Sequence, residues 1–314
     1  MRPDSLAILK GSLSPQSEVA LAGGDRLYAA FRGTPGCKAS FWVGRGSGRP
    51  MLEQNAVNQT DEKVLAFGDS LAPDTAVAPG YYAGSCLVNG DEDWKGERVY
   101  FCLVDRQGNR IIDSTGPLVS RWDSSPEIYG RITDSIAVLK TAPELGYELF
   151  MARGTALKLS GIEGQYYRVQ LSGQKDVWVK RSSVELMPPG RIIPPARLAM
   201  VRFKKAPRGS LASLVLSRPA VYQLFPGADG RSLKLVLYDV QADMDWVRYD
   251  PTDALVRDIR WRQTDSRTVE LELALNKPLW GYSAFYRGNN LELSLFSAPT
   301  RSEERSVGKE CTTR

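Results

Sequence analysis

The sequence contains no histidine. Histidine titrates near neutral pH and is the commonest metal ligand. Without it there is no Ser-His-Asp triad, no Cys-His nucleophile pair and no histidine-bearing zinc site. Chemistry carried by carboxylates alone survives that exclusion. No catalytic residue and no metal ligand is therefore assigned, and no cofactor is expected within this chain. Cysteine is scarce as well: Cys37, Cys86, Cys102 and Cys311 form no CxxC pair, so neither a zinc knuckle nor a thioredoxin-like site is supported. No apolar run approaches the roughly 18 residues of a membrane helix. The opening MRPDSLAILKGSLSPQ has no long apolar stretch after Arg2 and does not read as a secretory leader. A basic block is missing too. The 41 Lys and Arg and 36 Asp and Glu give a net charge of +5, spread along the chain. Nucleic-acid binding, which needs such a block on one face, is not expected.

What is present is β-strand pattern almost throughout. LYAAF, ASFWV, YYAGSCLV and RVYFCLV are short runs rich in aromatic and β-branched residues. RGTPG, GRGSGRP, NGDEDWKG and DRQGN separate them as turns. This predicts an all-β protein whose residues 1–125 form an immunoglobulin-like β-sandwich, with 51–79 as a long polar loop. Cys86 and Cys102 fall in two of these strands. If the two pair as a hairpin, their sulfurs sit nearly opposite. Two readings then stand: a disulfide in an oxidising compartment, or two small apolar core residues.

Residues 130–187 hold five short strands in under sixty residues, which a small closed barrel would accommodate. PPGRIIPPARL, 188–198, carries four prolines and reads as a stiff linker. Residues 199–299 return to strict alternation. In TVELELAL, Val269, Leu271, Leu273 and Leu275 share one face; in NLELSLF, Leu291, Leu293 and Leu295 do. That predicts a second β-sandwich-like domain. The tail 300–314, ending RSEERSVGKECTTR, is almost wholly polar. It is expected to be disordered and resembles translated adapter sequence more than native chain.

The pieces AVLKTAP, RGTALKLSG, GQYYRVQLSG and VWVKRSSVEL resemble the bacterial SH3-type domain of cell-wall proteins. Lys140 and Ala142 stand where that family usually has arginine and glycine, Tyr166-Tyr167 where it has Trp-Tyr, and Val177-Trp178-Val179 where it has Gly-Trp-Val. The flanks GDRLYAAFRGTPGCKASFWVG and LWGYSAFYRGNNLELSLFSAP are similar to the β modules around such a domain in bacterial N-acetylmuramoyl-L-alanine amidases, the second to their amidase N-terminal module. The resemblance implies a peptidoglycan-binding accessory region, periplasmic or secreted within the envelope. The zinc that such amidases use would belong to a catalytic domain outside this chain. An SH3-like envelope scaffold for extended peptides is the alternative.

Alternation within the barrel places Tyr167, Val169 and Leu171 in the core. Tyr166, Arg168 and Trp178 then point outward and form the candidate ligand-binding set. Other clusters read as structural. Asp243, Asp245, Asp250 and Asp253 make a solvated acidic turn. Trp94 folds back on its own strands. The aromatic WGY and FYRGNN segments, 280–282 and 285–290, pack in the core.

Overall fold

The computed structural model describes residues 6–54, 79–123, 125–172 and 175–298. The tail 300–314, Cys311 and most of the loop expected over 51–79 lie outside the described residues. Among those described there is no α-helix; twenty-four strands and two single 3₁₀ turns make an all-β protein.

The N-terminal strands are β1 (Val19–Leu21), β2 (Arg26–Arg32), β3 (Lys38–Val43), β4 (Arg49–Glu53), β5 (Tyr81–Leu87), β6 (Val99–Val104), β7 (Arg110–Ser114) and β8 (Val119–Arg121). Six of them form one antiparallel sheet in the order β2-β5-β4-β3-β6-β7. Phe31 on β2 stacks on Tyr82 of β5 at 5.1 Å and meets Phe101 of β6 edge-on at 5.3 Å. Since β2 and β6 stand four places apart in the sheet, that contact requires the sheet to fold over on itself. Alternate residues of each strand then line one enclosed core, with Leu27, Phe41, Val99 and Leu103 fully buried.

This order overturns the hairpin expected between the two cysteine strands. β5 pairs with β2 and β4, and β6 with β3 and β7. Cys86 points into the core, whereas Cys102 alternates with the buried Phe101 and Leu103 and so lies on the outer face. Both are free thiols, because the polypeptide puts β3 and β4 between their strands.

The middle unit comprises β9 (Ile128–Ile132), β10 (Ile136–Lys140), β11 (Tyr147–Ala152), β12 (Ala156–Glu163), β13 (Tyr166–Ser172), β14 (Lys175–Lys180) and β15 (Val184–Leu186). It starts two residues ahead of the expected position 130. A bulge at Ser160 bends β12, so that its first half pairs with β9 and its last residues with β1 and β13. The sheet curls around Ile132, Leu139, Met151, Leu157, Val169 and Val179. β1 and β8 of the first unit thus extend this sheet rather than their own, and the nine strands form one ladder across the expected boundary.

The C-terminal unit holds β16 (Ala196–Ala206), β17 (Gly209–Leu216), β18 (Val221–Pro226), β19 (Ser232–Tyr238), β20 (Val240–Arg248), β21 (Val256–Asp265), β22 (Thr268–Leu275), β23 (Leu279–Arg287) and β24 (Asn290–Ser297). A five-stranded sheet, β20-β16-β17-β24-β23, faces a four-stranded one, β18-β19-β22-β21. The leucines at 271, 273, 291, 293 and 295 that alternate in the sequence are all buried between them. At the β16–β17 turn Gly209 adopts φ +147°, and a Cβ there would lie 1.9 Å from the Leu295 carbonyl oxygen. Only glycine fits that approach.

The proline-rich segment is not a free spacer. Ile193 is buried, the Arg267 guanidinium donates to its carbonyl at 3.0 Å, and Arg218 donates to the Pro194 carbonyl at 3.0 Å. Both arginines also pair with Asp239, at the positive-φ turn that links β19 to β20. Carbonyls that proline-bearing chain cannot spend on a ladder are taken up by these guanidiniums. Val221, Val236 and Tyr238 on the outside of β18 and β19 pack into the same apolar cluster as the middle unit's Val169 and Leu171. The middle unit is therefore held from both sides.

Candidate functional site

The outer face of β13, β14, β10 and β11 carries the residues the sequence pointed to. In register, Arg168 opposes Trp178, Trp178 opposes Lys140, and Lys140 opposes Tyr147. Tyr167, Val169 and Leu171 are buried as their alternation predicts. The three candidate ligand-binding residues, however, do not form one open surface.

Tyr166 is on the outer face but only 3% exposed. The Lys140 ammonium sits over its ring, 5.5 Å from the centroid, and its hydroxyl donates to Glu144 at 2.9 Å. Glu144 lies in the β10–β11 turn, which folds back over the tyrosine. Pattern alone could not show this, since alternation gives the side of a strand and not what covers it.

Arg168 is spoken for as well. It donates to Asp25 of the first unit at 2.5 Å, to the Ser160 hydroxyl at 3.0 Å and to the Ser160 carbonyl at 2.9 Å. Asp25 in turn accepts the Ala22 amide at 2.7 Å. Neighbouring Gly161 permits this closeness, since a Cβ there would stand 2.7 Å from the Ala20 carbonyl. Burial pushes the Asp176 carboxyl up, against the pull of the Arg168 guanidinium 3.8 Å away. Arg181 adds a second tie to the first unit, through Glu18 at 2.9 Å. Arg168 thus joins two units, and a guanidinium already holding three oxygens has little left to offer a ligand.

Trp178 is partly buried and is not covered by an ion pair of the kind that holds Arg168. Across Lys140 from it, on β11, stand two aromatics that the strand pattern did not single out. Tyr147 is 71% exposed and Phe150 57%, with ring centroids 6.1 Å apart. Ile136, 65% exposed, continues the stripe along β10. The signal for them was the alternation in YELFMA, where Leu149 and Met151 take the core and force Phe150 out. Trp178, Lys140, Tyr147 and Phe150 together make an amphipathic strip with one ammonium in it. Such a strip can stack on the C–H faces of sugar rings or on peptide planes. Among the described residues no cluster of three or more acidic or thiol side chains could hold a metal.

The four acids expected in one turn divide: Asp243 and Asp245 lie within β20, and only Asp250 and Asp253 cap the turn after it. Asp250 accepts the Thr252 and Lys205 amides, Asp253 accepts the Leu255 amide and the Ser210 hydroxyl, and Asp243 lies 3.8 Å from Arg197. Trp94 is buried on its own strands. The aromatic C-terminal hairpin departs from expectation: Tyr286 is sequestered, donating to the Ala220 carbonyl, while Trp280 and Phe285 are 62% and 43% exposed. β23 is the edge strand of its sheet, so its outer residues have no neighbour to cover them. A concavity of about 580 Å³ crosses all four strands of the other sheet, lined by Phe225, Lys234, Trp261, Arg262 and Glu270. Within it Arg262 pairs with Glu270 at 2.6 Å and Lys234 lies over the Phe225 ring.

No family model matches the chain, and no curated protein does. Among solved structures, a cycloalternan-degrading enzyme from Trueperella pyogenes in complex with covalent intermediate is similar at 12% identity and a TM-score of 0.24. The match covers 87% of this chain and 35% of that one. A likeness at that level carries no argument about fold or function.

Proposed function

We propose that this chain is the peptidoglycan-binding accessory region of a cell-wall N-acetylmuramoyl-L-alanine amidase, working in the bacterial envelope. The observation that carries the reading is the pair of exposed rings, Tyr147 and Phe150, on the same sheet face as the partly buried Trp178. Exposed rings on a preorganised strand surface grip a polymer without ordering cost. The resemblance of residues 132–187 to the bacterial SH3-type domain supports the choice of polymer. The amidase's zinc and its hydrolytic chemistry would be supplied by a separate domain; the part played here is to hold that domain near its substrate.

The test is sedimentation with purified peptidoglycan stripped of phosphate polymers. Tyr147→Ala, Phe150→Ala and Trp178→Ala should each weaken binding about 3- to 10-fold, the range of one lost aromatic contact. Parent-like binding by all three variants would remove the strip as the site.

A second reading, an SH3-like scaffold for extended peptides, rests on one observation. β11, which carries two of the rings, is the edge strand of the nine-stranded ladder. An edge offers backbone groups to an added strand. Displacement of bound wall fragments by an unrelated extended peptide would favour it.

A further inference from the structure

The outer face of the five-stranded sheet is built unlike the barrel strip. Residues that alternate with the buried Val201, Phe203, Ala212 and Leu293 form cross-strand rows on it. One row runs Arg248, Arg202, Ser213, Glu292, Phe285 across all five strands. A second places Trp246 beside Met200, and a third sets Lys204 next to Leu211, Ser294 and Ser283. At the β20–β16 side, Arg248, Arg202 and Lys204 are exposed, as is Trp246 at 65%.

Arg202 and Arg248 are direct Cα partners on adjacent strands, about 4.8 Å apart. Like charges in that relation repel and destabilise the sheet. Among the described residues no carboxylate lies within ion-pair distance of either guanidinium or of Lys204. The acids around them are engaged or turned elsewhere: Glu292 pairs with Arg287 at 3.1 Å and Asp243 with Arg197 at 3.8 Å. Asp245, in the β20 bulge, reaches neither arginine. The one polar contact of Arg202 is the Met200 sulfur at 2.9 Å, which fixes the direction of its fork. Three cations with no carboxylate partner lie to one side of an open indole along the strands, Arg202 and Arg248 in the next row and Lys204 in the row beyond, and the small hydroxyls of Ser213, Ser294 and Ser283 continue the face across β17, β24 and β23. Four strand spacings, about 19 Å, separate this basic side from Phe285.

We propose that this face binds a phosphodiester-linked polymer of polyol or sugar units. Guanidinium forks fit phosphate oxygens in pairs. The indole takes a C–H face and the serine floor takes hydroxyls. Single-stranded nucleic acid fits less well, because successive bases need successive stacking rings, and Trp246 stands alone on the basic side. The site is on a different domain from the barrel strip and does not depend on it.

The experiment measures binding of the whole chain to synthetic poly(glycerol phosphate), to an oligo-dT of similar charge and to neutral dextran. Binding to the first alone is expected. With three phosphate contacts it should fall about 20-fold between 50 and 200 mM salt, taking the single-strand slope per contact. Arg202→Glu with Arg248→Glu should abolish it, and Trp246→Ala should weaken it about 3- to 10-fold. Lys234→Glu on the opposite sheet should leave it unchanged, as should Tyr147→Ala; a parent-like calorimetric transition of the C-terminal sandwich shows that the charge variants are folded. Parent-like binding by the double variant, or equal binding of dextran or oligo-dT, overturns the proposal while leaving the barrel reading untouched.

Discussion

Replacing Arg168 by alanine should loosen the first unit from the middle one and leave peptidoglycan binding intact. The side chains of Arg168 and Asp25 are 16% and 22% exposed. Breaking a fully buried ion pair costs about 3–5 kcal/mol, and an exposed one about 0–1 kcal/mol. A pair this enclosed, with two further bonds to Ser160 lost at the same time, should cost about 2–3 kcal/mol. For the first and middle units unfolding together, β1 through β15, that is a fall of roughly 4–12 °C in the transition reporting the junction. Calorimetry suits the measurement, because a protein with three cores is not expected to unfold in one step. In the parent the ladder from β8 through β1 to β12 couples two of those cores; in the variant their transitions should separate. A double-mutant cycle with Asp25→Asn should return a coupling energy of about 1–3 kcal/mol. The reasoning fails if Arg168→Ala keeps its transition within about 0.5 kcal/mol of the parent, the range of an ordinary surface change. It fails equally if the variant stays stable but no longer sediments with wall material, which would return Arg168 to the ligand site.

Three further outcomes are expected. Gly209→Ala should destabilise the C-terminal sandwich by more than about 2 kcal/mol in urea titration, since a positive φ and a backbone clash act together there. The Lys158 ammonium and the Tyr129 hydroxyl hold the Glu127 carboxyl below its ordinary 4.5. A depressed carboxylate stabilises above its unfolded value and loses that contribution as pH falls through the folded one, so thermal stability should drop on acidification below about pH 4.5, and Glu127→Gln should flatten that limb. Native thiol labelling should reach Cys102 and spare Cys86, whose thiol is buried and pushed up by desolvation; a peptide map without reductant that links Cys86 to Cys102 would refute the strand order.

The alternating leucines of β22 and β24 made the C-terminal sandwich legible, because a period of two assigns each residue to a face wherever the strand sits. The same rule placed Tyr167, Val169 and Leu171 correctly in the middle unit. It failed for the pairing of the Cys86 and Cys102 strands because pairing partners are not encoded in the pattern of either strand: β4 takes the place beside β5 and β3 the place beside β6. It failed for Tyr166 because the cover comes from Lys140 and Glu144, more than twenty residues away. Tyr147 and Phe150 were legible in principle from YELFMA but carried no signal distinguishing an open face from a docked one. The basic patch at Arg202, Arg248 and Lys204 was invisible in a charge count, since two strands far apart in the chain bring it together.

Alternation, turn residues and the missing imidazole were enough to determine an all-β chain and to exclude mechanisms that need a histidine. Those are local properties, fixed by each residue and its immediate neighbours. Which aromatic stays wet, which arginine is consumed by another domain and which cations are left without a carboxylate depend on contacts between residues distant in sequence. Only the packing of four sheets against one another decided them, because burial and charge pairing are properties of a surface, and that surface exists only once the chain has folded.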